Sequence, residues 1–278
     1  MNFAINGIQY HVERWGSLEG TPLLLLHGFT GSGASWIKFK PYWQNYNVIA
    51  VDIIGHGKSD SPDDVSKYDI EAVAGDLHGI LQRLGIGQTN LLGYSMGGRL
   101  ALTFALKYPR MVQKLILESS TPGLKSKDER EARRLQDEKL ACRIQEQGIT
   151  EFVDYWENIP LFQSQKQLPH DLQLQIRTER LSNSELGLSN SLRGMGTGAQ
   201  ASWWERLHEI TFPVLLITGE LDIKFCQIAK EMQKTLKNGN WISVEKSGHA
   251  IHVENPELFG TIVNEFLSYE KEPKNNPY

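Results

Sequence analysis

Cysteine is scarce in this sequence, because Cys142 and Cys226 are the only two among 278 residues. Two cysteines so far apart do not form the disulfide framework of a small secreted domain, and they do not supply a cysteine-based metal cluster. We therefore expect a protein of a reducing compartment whose stability comes from a hydrophobic core.

Long apolar runs and an excess of one charge are also lacking. The longest aliphatic run, 23–26, is far too short to cross a bilayer, and residues 1–5 lack the features of a signal peptide. The net charge is −4, the hydrophobic fraction is 40% and no basic stripe stands out. This composition is ordinary for a globular protein and gives no basis for nucleic-acid binding or membrane insertion. We expect a cytoplasmic protein.

The most informative stretch is Gly-Tyr-Ser-Met-Gly at 93–97, an instance of G-x-S-x-G. An apolar run at 89–92 predicts a strand before it, and apolar residues at helical spacing follow at 99–106. Between a strand and a helix this motif is a nucleophile elbow, which exposes its serine at the carboxyl end of the strand. The pattern predicts Ser95 as a nucleophile at a helix N-terminus, where the dipole favours negative charge. A Gly-Ser turn that only starts a helix is the alternative.

Short apolar strands alternate with amphipathic helices along most of the chain. Strands are predicted at 22–27, 48–52, 89–92, 114–118, 213–218 and 241–244, and helices at 70–84, 99–106, 226–236 and from Asn255-Pro256 onward. Residues 3–15 predict an antiparallel edge strand or a hairpin. This succession is typical of an α/β fold, with a mostly parallel twisted sheet and helices on both faces. Ligands of such sheets bind beyond the carboxyl ends of the strands.

The strand pattern stops after Pro122. Helical patterns follow at 125–147, 149–157, 171–181 and 185–192. We interpret 123–205 as a helical lid (cap) inserted into an α/β core formed by 1–122 and 206–269. Helices that lie in solvent, away from any site, are the alternative. The tail at 270–278 is polar, and we expect it to be disordered.

A nucleophilic serine needs a base within hydrogen-bond reach, and the base needs an orienting carboxylate. Asp222 and His249 each follow a predicted strand, so both would reach the sheet edge that carries Ser95. The chain order Ser, Asp, His is a known one. Glu220 competes with Asp222, and His252 competes with His249. A glycine directly before His249 leaves room for close approach there, whereas His252 already belongs to the next loop. We favour His249 as the base and Asp222 as its partner.

Two backbone N–H groups should form the oxyanion hole, those of Met96 after the nucleophile and of Phe29 after an earlier strand. His27 and His56 stand beside glycines, and we interpret them as loop-structuring residues. No short histidine spacing indicates a metal site. The glycine-rich stretch 194–198 follows a helix and lacks the ending of a phosphate loop. We interpret it as a lid hinge or a turn that approaches the substrate.

With Ser95, Asp222, His249 and His27-Gly28 at predicted strand ends, the chain resembles the α/β-hydrolase superfamily over nearly its whole length. Further motifs narrow the resemblance: Gly97-Gly98-Arg99, Pro122-Gly123-Leu124, Gly196-Thr197-Gly198-Ala199-Gln200 and the stretch 219–225. Together they resemble the family of menaquinone (vitamin K2) biosynthesis enzymes that make 2-succinyl-6-hydroxy-2,4-cyclohexadiene-1-carboxylate (SHCHC). The superfamily motifs are common to many activities, whereas this combination is much sharper.

This resemblance implies a lyase that eliminates pyruvate from 2-succinyl-5-enolpyruvyl-6-hydroxy-3-cyclohexene-1-carboxylate (SEPHCHC). His249 would activate Ser95, whose oxygen would remove a ring proton, and Asp222 would hold the imidazole. The two N–H groups would stabilise the enolate oxygen. The resemblance implies neither a metal nor an organic cofactor.

The implied substrate is a small polycarboxylate, so its pocket must supply cations, and arginine forks suit carboxylates. The resemblance carries over as substrate-binding residues Tyr94, Arg99, Arg133, Trp156 and Arg180. For Arg133 a solvated ion pair with Glu129 is the alternative. Arg177 could take the role of Arg180, and simple packing in the lid is the alternative for Trp156.

Two other kinds of function use the same residues. A carboxylesterase, thioesterase or carbon–carbon-bond hydrolase would need the same activated serine and oxyanion hole. Arginines facing Ser95 would favour the lyase, and an apolar acyl pocket would favour the hydrolase. A non-catalytic binding protein is disfavoured because no member of the predicted triad is missing.

Overall fold

A twisted, mostly parallel sheet forms the centre of the protein. A computed structural model describes residues 1–269, and the predicted disordered tail at 270–278 lies outside them. The strands are β1 (Asn2–Ile5), β2 (Ile8–Gly16), β3 (Pro22–Leu26), β4 (Asn47–Val51), β5 (Thr89–Tyr94), β6 (Val112–Glu118), β7 (Val214–Gly219) and β8 (Gly239–Val244). Their order across the sheet is β1-β2-β4-β3-β5-β6-β7-β8. The β1–β2 and β2–β4 pairs are antiparallel and the other pairs are parallel. The predicted α/β fold and the hairpin at its start are confirmed.

Helices cover both faces of the sheet and fill the long connection between β6 and β7. They are α1 (Lys40–Trp43), α2 (Ile70–Arg83), α3 (Met96–Lys107), α4 (Lys127–Trp156), α5 (His170–Leu181), α6 (Glu185–Met195), α7 (Ile223–Thr235), α8 (Ile251–Glu254) and α9 (Pro256–Ser268). Short 3-10 helices lie at Gly33–Phe39, Val65–Tyr68, Pro109–Met111, Pro160–Gln167 and Trp204–Glu209. The helix α3 begins before the predicted start at 99, because its first turn contains two glycines that add no apolar side chain to the periodicity.

The strands are apolar without alternation because both faces of the sheet are buried. Leu24 and Leu26 of β3 face one apolar cluster, whereas Leu23 and Leu25 face another that contains Trp36. All four leucines are fully buried. Each such side chain contributes about 1.5–3 kcal/mol on leaving water. The two clusters thereby fix the direction of the strands, and with it the edge at which their carboxyl ends meet.

The connection between β6 and β7 carries a small apolar core of its own. Its buried members are Ala141, Ile144, Phe152, Val153, Leu188 and Leu192. The helix α4 bends at Gly148, whose φ is 83°. Past the bend, the N–H of Ile149 donates to Glu185 Oε1 at 2.8 Å. The bend coincides with the boundary predicted between helices at 125–147 and 149–157. These contacts are consistent with the predicted helical insertion 123–205.

The buried imidazoles of His27 and His56 connect the loops after β3 and β4. The N–H of Ile53 donates to His27 Nε2 at 2.9 Å, so His27 Nδ1 carries the proton and donates to the carbonyl of Gly28 at 2.8 Å. His56 Nδ1 lies 3.1 Å from the carbonyl of Ile54. Burial lowers the pKa of His27 to about 4 and that of His56 to about 3. Both rings are therefore neutral at pH 7 and serve the loops, as predicted.

The turn from β5 into α3 packs directly against the end of β3. A Cβ at Gly97 would collide with the backbone carbonyl groups of Leu26 and His27. Backbone carbonyls of a central strand cannot move aside as a flexible side chain can. The elbow therefore approaches the sheet more closely than any residue with a side chain would allow.

We expect Gly97→Ala to lower the free energy of unfolding by about 1–3 kcal/mol, because overpacking forces the backbone to shift. Urea denaturation followed by circular dichroism measures this loss. The control is Gly87→Ala, at an exposed site where an added Cβ meets nothing within 4 Å. Equal stability of the two variants would contradict the packing argument.

We also expect stability to fall with acidification. The unfolded chain takes up protons on His27 and His56 below about pH 6.5, whereas the folded chain does not until about pH 4 or lower. The free energy of unfolding should therefore drop by roughly a few kcal/mol as the pH falls from about 6.5 to about 4. Urea unfolding across this range should show a flatter pH dependence for His56→Gln. The exposed control His208→Gln should keep the full dependence, and a parallel slope for both variants would refute the assignment.

Candidate active site

Ser95 stands at the turn between β5 and α3 in a backbone conformation that is rare for residues with a side chain. Its φ is 50° and its ψ is −107°. Such a conformation costs about 1–3 kcal/mol and persists only where neighbours enforce it. The N–H of Ser95 donates to the carbonyl of Glu118 at 2.8 Å, and Ser120 Oγ donates to the carbonyl of Ser95 at 3.2 Å. These contacts with the end of β6 hold the predicted elbow and expose its hydroxyl.

Three predicted side chains meet in one hydrogen-bonded chain at the carboxyl edge of the sheet. His249 Nε2 lies 3.0 Å from Ser95 Oγ, and His249 Nδ1 lies 2.6 Å from Asp222 Oδ2. The other oxygen of Asp222 accepts the N–H of Phe225 at 3.3 Å, at the start of α7. The carboxylate is thus fixed between a helix N-terminus and the imidazole. It directs the Nδ1 proton toward itself and leaves Nε2 free to accept the serine proton.

The two competing residues have other partners. Glu220 is exposed, and its carboxylate accepts the N–H of Lys246 at 3.2 Å. His252 is buried and its Nδ1 lies 2.9 Å from the carboxylate of Glu118. Neither competitor contacts Ser95, so the geometry favours Asp222 and His249, as the sequence analysis did.

The two residues whose N–H groups are predicted to form an oxyanion hole, Phe29 and Met96, line the cavity above Ser95. Met96 is the first residue of α3, and the first N–H groups of a helix have no acceptor within it. Phe29 follows β3 and lines the same cavity. Neither N–H donates to a backbone acceptor among residues 1–269. Both are therefore available to an oxygen that develops negative charge beside the serine.

The cavity above Ser95 has a volume of about 150 Å³. Four of the five residues predicted to bind substrate line it, namely Tyr94, Arg99, Arg133 and Trp156. The cavity is also lined by Lys224, which the sequence analysis did not single out although it lies inside a quoted motif. The lining of the cavity therefore includes three cationic side chains, those of Arg99, Arg133 and Lys224, which we call the cationic wall.

Arg99 is buried beside the cavity without a carboxylate partner. Its guanidinium donates to the carbonyl of Met195 at 2.6 Å and to Gln200 Oε1 at 2.8 Å. Burial lowers the pKa of Arg99 to about 10, which still leaves it charged at neutral pH. Two neutral acceptors thus hold the positive charge in place without neutralising it. Gln200 orients the guanidinium of Arg99, a role that the sequence analysis did not assign to it.

Arg133 pairs with Asp137 rather than with Glu129, so the alternative ion pair considered for it is wrong. Arg133 Nε lies 2.8 Å from Asp137 Oδ1, one helical turn further along α4. Glu129 instead accepts the N–H of Ser126 at 2.9 Å and caps the helix. The reason is that Glu129 belongs to a capping box, which i,i+4 spacing alone does not reveal.

Arg180 lies apart from the other predicted substrate-binding residues. It is buried, donates to Gln165 Oε1 at 3.0 Å and stacks on the ring of Phe162 at 4.7 Å. It does not line the cavity above Ser95 but faces a neighbouring cleft of about 850 Å³. Phe29, Tyr94 and Phe162 line both spaces, so the cavity and the cleft adjoin at these residues. Of the five residues predicted to bind substrate, Arg180 is thus the one that lies outside the Ser95 cavity.

Arg177, the alternative to Arg180, already has carboxylate partners. It forms ion pairs with Asp154 at 2.5 Å and with Glu157 at 2.8 Å. Arg180 makes no ion pair within the described part of the chain. Of the two arginines, Arg180 is therefore the one that can still pair with a carboxylate of the substrate.

Trp156 both packs and lines the cavity. Its ring lies 5.5 Å from that of Phe29 and 5.7 Å from that of Phe162. Its indole N–H is buried and has no hydrogen-bond partner among residues 1–269. Packing alone does not satisfy this donor, because a buried unpaired N–H costs free energy.

Glu254 is a further residue that the sequence analysis missed. Its carboxylate accepts the N–H of Gly248 at 2.6 Å and that of Ala250 at 3.4 Å, on either side of His249. Burial raises its pKa, and hydrogen bonds from Gly248 and Ser164 oppose that shift. Ser164 belongs to the segment Pro160–Gln167 of the helical insertion, so Glu254 joins the insertion to the histidine loop. No sequence pattern marks such a contact.

The described residues show neither a cluster of metal ligands nor a membrane-spanning helix. In residues 1–269 no group of three or more His, Cys, Asp and Glu side chains is arranged to hold a metal ion. None of the helices in this part of the chain is long and apolar enough to cross a bilayer.

The site can now be compared with known proteins. Residues 21–256 match the family model described as alpha/beta hydrolase fold. A putative 2-succinyl-6-hydroxy-2,4-cyclohexadiene-1-carboxylate synthase of Bacillus subtilis is 47% identical over 95% of this chain and 96% of its own length. The synthase of that name from Photorhabdus laumondii is 32% identical over 88% of this chain and 85% of its own.

A solved structure agrees with these relatives. MenH from S. aureus superposes with a TM-score of 0.88 at 38% identity, covering 93% of this chain and 97% of its own. The sequence relatives and this structure cover both the sheet and the helices between β6 and β7. The chain therefore belongs to the alpha/beta hydrolase fold family and, within it, to the 2-succinyl-6-hydroxy-2,4-cyclohexadiene-1-carboxylate synthases.

Proposed function

We propose that this protein is a lyase of menaquinone biosynthesis that eliminates pyruvate from SEPHCHC and releases SHCHC. The relatives' names support this activity. The observation that carries it is the buried guanidinium of Arg99 near the nucleophile, which two neutral oxygens hold and which forms no ion pair within residues 1–269. A cation left uncompensated next to a reactive hydroxyl fits a substrate that brings its own carboxylates.

The first step is the removal of a proton from the ring. His249 Nε2 accepts the proton of Ser95 Oγ, and the serine oxygen takes the proton from the ring carbon beside the succinyl ketone. The electrons of the broken C–H bond move onto the ketone oxygen as an enolate. The N–H groups of Phe29 and Met96 would stabilise this charge, and Asp222 would stabilise the imidazolium.

The second step expels the leaving group. The enolate collapses and a double bond forms between ring carbons 2 and 3. The existing double bond moves from carbons 3 and 4 to carbons 4 and 5, and the C–O bond from carbon 5 to the enolpyruvyl group breaks with its electrons on the leaving oxygen. The departing enolpyruvate gains the proton that the site removed and becomes pyruvate. No water is consumed, so the serine acts as a base and forms no acyl-enzyme.

The cationic wall would position the substrate for these steps. We propose that Arg99 binds a carboxylate directly and that Arg133, which shares its charge with Asp137, binds a second one more weakly. The unpaired indole N–H of Trp156 would donate to a substrate oxygen. We further propose that the enzyme acts in the cytoplasm on a dissolved small molecule.

A hydrolase of the same fold would need the same serine, histidine and aspartate, so these residues do not separate the two activities. The difference lies in the wall of the cavity. A pocket for apolar acyl groups gains nothing from burying Arg99, because desolvating an unpaired charge is costly. The cost is offset only when a carboxylate occupies the cavity.

We expect Ser95→Ala to lower the rate of pyruvate release from SEPHCHC by roughly 10³-fold or more, because the proton-abstracting oxygen is lost. A lactate dehydrogenase-coupled assay measures the pyruvate. The exposed control Ser17→Ala should keep the wild-type rate. Wild-type protein that releases no pyruvate yet hydrolyses p-nitrophenyl esters rapidly would replace the lyase with a hydrolase.

Arg99→Met should lower kcat/KM for SEPHCHC by roughly 10- to 100-fold, the effect of losing a charge-assisted hydrogen bond. The same pyruvate assay, run over a range of substrate concentrations, gives this ratio. The control is Arg83→Met, which removes an exposed arginine outside the cavity and should leave kcat/KM unchanged. Wild-type kinetics in Arg99→Met would show that the buried charge does not meet the substrate.

A further inference from the structure

We propose that the carboxylate of the substrate's succinyl arm binds outside the Ser95 cavity, in the neighbouring cleft, between Lys38 and Arg180. This inference rests on the proposed function and names the residues that recognise one part of its substrate. It adds Lys38, which neither the sequence analysis nor the mechanism has used.

The cavity above Ser95 is too small to hold the whole substrate. Pockets that hold drug-sized molecules are about 300–1,000 Å³. The cavity above Ser95, at about 150 Å³, is smaller than this range, whereas the neighbouring cleft is about 850 Å³. A cyclohexene ring that carries a carboxylate, an enolpyruvyl group and a succinyl arm must therefore extend into the cleft.

The cavity above Ser95 is continuous with the neighbouring cleft. Phe29, Tyr94 and Phe162 line both the cavity and the cleft, so the two spaces meet at these rings. The N–H of Phe29 is one of the two proposed donors to the ketone oxygen of the succinyl group. An arm that starts at this ketone begins at the boundary, and its methylene groups lead past the aromatic rings into the cleft.

The ammonium group of Lys38 is available to an anionic ligand. This lysine lines the cleft, and its Nζ donates to the backbone carbonyl of His252 at 3.2 Å. It forms no ion pair within residues 1–269. Burial lowers the pKa of Lys38, and the more distant carboxylates of Glu118 and Glu179 oppose that shift. Lys38 is exposed on the side of the cleft, and an ammonium that donates to a single carbonyl has donors left for a ligand.

The acidic residues of the cleft are already engaged. Asp52 accepts the N–H groups of Gly33 at 2.6 Å and Lys58 at 2.8 Å. Glu179 accepts the hydroxyl groups of Ser32 and Ser35, both at 2.7 Å. Glu13 lies 2.8 Å from His11 and 3.6 Å from Lys58. Among the lysines and arginines that line the cleft, Lys38 and Arg180 are therefore the two that form no ion pair within residues 1–269, since Lys58 pairs with Glu13.

Both cations line the cleft together with Tyr94. Lys38 contacts the backbone of His252, whose ring lies 4.6 Å from that of Tyr94. Arg180 approaches from helix α5 and stacks on Phe162. A carboxylate that passes these rings meets an ammonium from the α/β core and a guanidinium from the helical insertion. Its binding would tie the two parts of the protein together over the substrate.

The remaining carboxylates of the substrate stay close to the reacting ring. The ring carboxylate and the enolpyruvyl carboxylate are attached too near the reacting carbons to reach the cleft while the ketone contacts Phe29 and Met96. They would meet Arg99 and Arg133 inside the cavity. Only the flexible arm can carry a carboxylate to Lys38.

Lys38→Met should raise KM for SEPHCHC by roughly 10- to 100-fold with little change in kcat, because a charge-assisted contact remote from the chemistry is lost. Steady-state pyruvate release measures both constants. Lys38→Arg should restore most of the affinity. The matched control is Lys40→Met, which removes an exposed lysine in α1 that does not line the cleft and should leave KM unchanged.

A substrate analogue separates recognition from a structural effect. In SEPHCHC whose arm carboxylate is replaced by a carboxamide, wild-type KM should rise and Lys38→Met should add no further increase, since the contact is already gone. An equal loss on both substrates, or an unchanged KM on SEPHCHC, overturns the inference while wild-type pyruvate release keeps the proposed function. Wild-type protein that releases no pyruvate overturns both.

Discussion

The hydrogen bond between Ser95 and His249 joins residues that are 154 positions apart, and most of the architecture serves to keep it short. The serine is held in a strained backbone conformation by the ends of β5 and β6. The histidine follows β8, and Asp222, which follows β7, orients it. These groups meet because neighbouring parallel strands deliver their carboxyl ends to one edge. The two apolar layers that bury the sheet are therefore a condition for the chemistry.

Buried charge is the second organising feature, and it distinguishes this site from the general scaffold. Asp137, Asp52 and Glu179 each have hydrogen-bond donors close by. Arg99 is held by neutral oxygens and Arg180 by a neutral amide. Holding a cation in place without neutralising it costs stability, and the cost is offset when an anion binds. On our proposal that anion is the substrate, so the free protein is prepared for its ligand at the expense of its own stability.

The helical insertion contributes as much to the proposed site as the sheet does. Arg133, Trp156 and Phe162 come from it, and Gln200 orients Arg99 from its end. Ser164 and Glu254 connect it to the loop that carries His249. The sheet supplies the reactive groups that many activities share, and the insertion supplies the shape and the charges. A change of insertion on an unchanged sheet would therefore alter the substrate before it altered the chemistry.

The sequence by itself determined the strands, the elbow and the candidates for the reactive groups. Uninterrupted apolar runs mark strands that are buried on both faces. The glycines at 93 and 97 mark a turn in which backbone segments approach each other too closely for a side chain. These are local properties, encoded within a few neighbouring residues. The sequence favoured Asp222 over Glu220, but only the tertiary structure showed the contact of 2.6 Å between Asp222 and His249 and the pairing of Arg133 with Asp137. It also decided that Arg180 lines the neighbouring cleft rather than the Ser95 cavity, and that Lys38 forms no ion pair within residues 1–269. The physical reason is that these contacts join distant segments, and their distances depend on how whole helices pack rather than on any local pattern.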